Sequence, residues 1–151
     1  MEEQGRINYN KLKSYKYICK NIEDIAKRIR QQERIIDSLQ YDVVVGSLPD
    51  FPYTQAHFPI AGYNVDDMAQ RNQDTTKMRE ELRKLKQDKR EIESFILSIQ
   101  DPTLALIFRL LFFDGKKQRE VADEIGMDRS RISRKVRDYL KNAHKAQNNM
   151  L

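Results

Sequence analysis

The residues whose types and spacing can do chemistry lie in Gln118–Asp138, which reads QREVADEIGMDRSRISRKVRD. Counting from Gln118, the small residue Ala122 stands at position five, Gly126 at nine and Ile132 at fifteen. Val121, Ile125, Met127 and Val136 complete the apolar set. This is the helix-turn-helix pattern. A small Ala122 lets the second helix cross over the first. Gly126 tolerates positive φ at the sharp turn. Asp128 can cap the second helix. The aliphatic residues fill the angle between the two helices.

Placing residues 129–143 at about 100° per residue separates two faces. Ile132, Val136, Tyr139 and Ala143 share one face. Ser130, Arg134, Arg137 and Lys141 share the opposite face, with Arg131 and Ser133 on its flanks. Such a face donates hydrogen bonds to a polyanion. Arg can give two to the guanine edge, and Ser can bond a base or a phosphate. By position, Ser130, Arg131 and Arg134 are the base readers of double-stranded DNA, while Arg129, Arg137 and Lys141 contact phosphate. Lys116, Lys117, Gln118 and Arg119 open the first helix. The partial positive charge of that helix terminus suits them to phosphate contact.

Charge distribution agrees. The chain carries a net +5, and residues 129–145 hold seven basic groups against one acid, Asp138. The remainder is close to neutral, so the cluster points to a polyanionic partner.

The elements that position this motif follow from periodicity. Asp101-Pro102 is a helix start, with Asp as cap and Pro at the first helical position. The apolar run Leu104–Phe113 predicts a buried helix, ended by Asp114-Gly115. Upstream, residues 9–45 read as helix. Ile18, Ile22, Ile25, Ile29, Gln32, Ile36, Leu39 and Val43 alternate in spacing by four and three, a coiled-coil seam. Leu12 and Tyr15 either continue that helix backwards or form a short one of their own. Thr75, Met78, Leu82, Leu85, Lys89, Ile92, Ile96 and Ile99 repeat the spacing over 65–100. Gln32 and Lys89 interrupt the seams, where polar residues can fix register.

Residues 46–66 break the pattern with Pro49, Pro52 and Pro59 and the aromatics Phe51, Tyr53, Phe58 and Tyr63. They read as a connecting loop whose aromatics cap the hairpin end as a small satellite core, or dock a partner. The expected fold is therefore all-α. A long antiparallel coiled-coil hairpin (9–100) precedes a helix-turn-helix domain (101–146). The heptads serve equally for pairing between copies, as a homo-oligomer.

Composition excludes other classes. Gly and Pro total nine residues among 151, too few for a β-rich or α/β fold of this size. Mean hydropathy is -0.79 and no apolar run approaches the length of a membrane span. The N-terminus, MEEQGRINYN, shows no secretory signal. Cys19 is the only cysteine and fits a reducing cytoplasm, as a buried structural thiol. His57 has no neighbouring ligand or acid. Arg109 is a lone charge in an apolar helix, read as a buried ion-pair partner or a phosphate contact, with the structural role preferred. The five to eight residues at each end read as disordered. No phosphate-binding glycine loop, nucleophile–base pair or metal-ligand cluster is visible. The chain therefore reads as a binding protein rather than an enzyme, with no cofactor and no metal.

Residues 101–143, most clearly LLFFDGKKQREVADEIGMDRSRISRKVRDYLK, resemble region four of bacterial sigma factors. The whole-chain layout is similar to the ArpU and RinA group of phage-encoded regulators. The resemblance implies control of late-gene transcription in a phage or prophage, with Ser130, Arg131, Arg134 and Arg137 reading a promoter element. It also implies RNA polymerase as a second partner. Two alternatives stand beside it. One is a small-terminase-like component of DNA packaging. The other is a polymerase-interacting module that does not read DNA alone.

Overall fold

A computed structural model of the chain describes residues 6–45 and 65–149, with side chains over 6–38 and 66–149. The described residues are all-helical, without a strand. The helices are α1 (Tyr9–Lys13), α2 (Tyr15–Val45), α3 (Val65–Leu97), α4 (Pro102–Phe108), α5 (Gln118–Ile125) and α6 (Arg129–Asn149). Among the described residues, no helix is long and apolar enough to cross a membrane. The expected loop over 46–66 gives Val65 and Asp66 to α3, and its other residues, with the aromatics and His57, lie outside the described residues. The side chains of Leu39 and Val43 do too.

The chain divides into two compact units: Ile22–Lys84, and Met1–Asn21 together with Leu85–Leu151. In the first, Ile25 and Ile29 of the heptad seam are buried, as is Thr75. Thr75 donates its hydroxyl to the Arg71 carbonyl four residues back, at 2.8 Å, so its burial leaves no polar atom unpaired. Gln32 accepts from Arg71 Nη1 at 3.1 Å, and Glu33 pairs with Arg79. The polar interruption of the seam at Gln32 is thus a hydrogen-bonding position, not a void.

The second unit holds the motif residues, and its helices begin and end for local reasons. Asn8 caps α1 by accepting from Lys11 N–H at 2.8 Å. Ser14 donates to the Lys11 carbonyl at 2.7 Å at the break between α1 and α2, so Leu12 belongs to a short helix of its own. Asp101 caps α4 by accepting from Thr103 N–H at 3.0 Å, with Pro102 at the first helical position.

The apolar run does not stay α-helical. Arg109–Phe113 widens into a π-helical turn, in which Asp114 N–H reaches back to the Arg109 carbonyl at 3.1 Å. A regular α-helix directs three successive side chains around more than half its circumference. The wider turn helps bring Leu110, Leu111 and Phe112 into the core together, all under 9% exposed. Gly115, at φ +69°, then reverses the chain.

Phe108 is the centre of this unit. It is fully buried and its ring meets those of Phe95, Phe112 and Tyr139, with centroids 5.4–6.4 Å apart. The N-terminus joins the same core. Ile7 and Leu12 are buried, and Tyr9 packs edge-on against Phe112 at 5.7 Å. Tyr15 donates to Glu93 Oε1 at 2.6 Å. Burial, then that hydrogen bond, pushes its hydroxyl far above the ordinary tyrosine range. Lys11 Nζ meets Glu91 Oε2 at 2.7 Å.

Three expectations are corrected. Cys19 is only half-buried. Arg109 is exposed and is no buried ion-pair partner: its N–H still bonds to the Ala105 carbonyl as in a regular α-helix, and it follows the exposed Leu106 by three residues. The expected disorder does not reach Ile7, which is buried, or α6, which runs to Asn149, while residues 1–5 and 150–151 lie outside the described residues. The two termini hold each other. His144 Nε2 lies 2.7 Å from the Ile7 carbonyl oxygen, and Arg6 donates to Asn148 Oδ1 at 2.7 Å.

Candidate nucleic-acid interface

Helices α5 and α6 are joined by Gly126-Met127-Asp128. Lys117 precedes α5, and its N–H is accepted by the Glu120 carboxylate at 3.0 Å. The helix stops at Gly126, whose φ of +75° and ψ of +35° are left-handed. The Ala122 carbonyl accepts from both Gly126 and Met127 N–H, at 2.9 and 3.1 Å. Asp128 stands before α6, its carbonyl accepting from Arg131 and Ile132 N–H at 3.0 and 3.1 Å.

Burial divides α6 sharply. Ile132, Val136 and Leu140 are at most 6% exposed, and on α5 Val121 and Ala122 are buried. Tyr139 and Ala143 are half-buried at the edge of this stripe. Leu140 is the core position that the sequence reading missed. It follows Val136 by four residues, the ordinary helical spacing. Ser130, Arg131, Arg134, Arg137 and Lys141 are exposed, and so is Arg129 at the helix start. Ser133 is half-buried on the flank. None of these five arginines and lysines has a carboxylate within 4.0 Å among the described residues.

The start of α5 lies beside the start of α6. Lys116, Lys117, Gln118, Arg119 and Arg129 line one groove of about 800 Å³. Lys116 is the exception to the free charges, because its Nζ pairs with Glu124 Oε2 at 2.6 Å. That hydrogen bond raises the Lys116 ammonium above the ordinary lysine range. A second groove, of about 470 Å³, runs along α6 past Ser133, Arg137 and Lys141 to His144, with Gln118 and Tyr9 opposite. Ser130, Arg131 and Arg134 line neither groove and stand on the open face.

The structure adds cations that the sequence reading did not single out. Lys13, Lys16 and Lys20 line the first groove together with Tyr9 and Tyr17. Their spacing of three and four residues put them on one helical face, a signal present in the sequence. What the sequence did not give was the packing of α1 against the π-turn, which brings that face to α5. Comparison with protein-family models, with curated proteins and with solved structures gives no match.

Proposed function

We propose that the chain is a sequence-specific, double-stranded-DNA-binding transcriptional regulator, with α5 and α6 as a helix-turn-helix and α6 as its recognition helix. The observation that carries the reading is the division of α6. Ile132, Val136 and Leu140 lock one side to the core, while Ser130, Arg131, Arg134, Arg137 and Lys141 stand exposed on the other. A rigid helix with a basic outer face fits the major groove and can donate to base edges. The lack of carboxylate partners matters, because a duplex then meets charges that need not first break an ion pair.

The resemblance to sigma region four makes the target a promoter element, and the layout makes the setting a phage or prophage regulator of late genes. In this reading α2 and α3 form the antiparallel hairpin that precedes the DNA-binding domain, and RNA polymerase is a second partner. The chain acts by binding and not by catalysis.

Selection from a random duplex library at about 150 mM salt, where nonspecific attraction is screened, tests the proposal. An enriched sequence motif is the expected result. Binding that fades uniformly with salt and enriches nothing would leave electrostatic attraction alone and end the promoter reading.

A further inference from the structure

We infer that the N-terminal helices form a second phosphate clamp, so that the chain holds duplex DNA beside the recognition helix as well as through it. This rests on the reading of α5 and α6 as a duplex-binding pair. The groove at the start of α5 takes Lys13, Lys16 and Lys20 from α1 and α2, and among the described residues no carboxylate lines it. Those three lysines have no ion-pair partner among the described residues. Lys117, Arg119 and Arg129 face the same groove from the motif.

The helical segment that carries the lysines is anchored by its neighbours. Leu12 is fully buried beside them in sequence, and Tyr9 is seated on Phe112. Lys16 lies along Gly115, close enough that a methyl group there would stand 3.0 Å from its Cδ. The aliphatic stem of Lys16 thus lies against the glycine while the residue lines the groove. A cationic trough in which only Lys116 has a carboxylate partner among the described residues suits a linear polyanion, and its continuity with Arg129 suits the backbone flanking the bases that α6 reads. Lysines acting as point charges on phosphate add affinity for every sequence alike and carry no base preference.

The test is the full chain with Lys13, Lys16 and Lys20 all replaced by Gln, set beside the wild type and Arg134→Ala. Each protein is titrated by fluorescence anisotropy against two labelled duplexes, a library-selected one and a scrambled one, from about 50 to about 200 mM salt. Circular dichroism confirms an unchanged fold, as expected for groove-facing lysines. Three lost phosphate contacts flatten the log–log salt slope by about 2–3. The ratio of wild-type to triple-variant affinity then shrinks about 40-fold across that salt range. Preference for the selected duplex stays intact. A triple variant with wild-type slope and affinity, while Arg134→Ala loses preference, overturns the clamp and leaves the proposed function standing. A wild type that binds neither duplex overturns both.

Discussion

Gly126→Ala isolates the backbone requirement of the turn between α5 and α6. The residue sits at φ +75°, and a Cβ added there meets no atom within 4 Å. Its cost is therefore conformational and not steric. An L-residue in the left-handed region loses about 1–2 kcal/mol. The stiffer unfolded chain returns part of this, about 0.4–1 kcal/mol. The net expectation is a loss of about 1 kcal/mol. Urea denaturation followed by circular dichroism should show a lower midpoint with an unchanged slope, since the surface exposed on unfolding is the same. Gly126→Asn should recover most of the loss, because Asn tolerates this conformation. Gly115→Ala makes a useful contrast. It shares the positive φ of +69° but also presses on Lys16 Cδ at 3.0 Å. That neighbour is the middle of a flexible side chain, so it can yield and the extra cost is small. An alanine at 126 that is neutral or stabilising would refute the left-handed turn, and with it the crossing of α5 and α6 that the interface needs.

Arg134 is exposed and has no ion-pair partner among the described residues, so Arg134→Ala should leave stability within about 0.5 kcal/mol. It should weaken the selected duplex by about 1–3 kcal/mol and relax base preference, as read by competition binding. Lys117→Ala should instead weaken every duplex alike and reduce the salt slope by about 0.9. Leu12→Ala should cost about 2–5 kcal/mol in chemical denaturation, because Leu12 is fully buried although it lies in a five-residue helix; a cost under about 0.5 kcal/mol, the size of a surface change, would place α1 outside the core. Glu91 is held below the ordinary carboxylate range chiefly by the hydrogen bond from Lys11. Its folded-state value is depressed, so the pair stabilises at neutral pH and that contribution is lost as the pH falls through the folded value. Glu91→Gln should therefore cost less than about 1 kcal/mol at pH 7, with a gap from wild type that closes below about pH 4 in urea titrations.

Local chemistry was legible in the sequence. The cap and proline of Asp101-Pro102, the left-handed glycines at 115 and 126, and the apolar stripe through Ile132 and Val136 each depend on a residue and its near neighbours. The non-exposed positions of the two long helices were legible for the same reason. Of the heptad residues with described side chains, none is exposed. The exposed basic face of α6 followed from the same 100° spacing, because burying one side of a helix leaves the other to solvent.

What the tertiary structure decided were the juxtapositions. Spacing does not say that α1 packs on the π-turn, so it could not bring Lys13, Lys16 and Lys20 to the start of α5. The π-turn itself has no fixed sequence signature. It arises where three neighbouring apolar residues, Leu110, Leu111 and Phe112, compete for one core, and the extra residue in the turn relieves the competition. The residues near the ends were unreadable alone, because the burial of Ile7 and its contact with His144 depend on residues far away in the chain. Near-neighbour chemistry determined the helices, their ends and the basic face. Contacts between residues about a hundred positions apart determined which cations that face would be joined by.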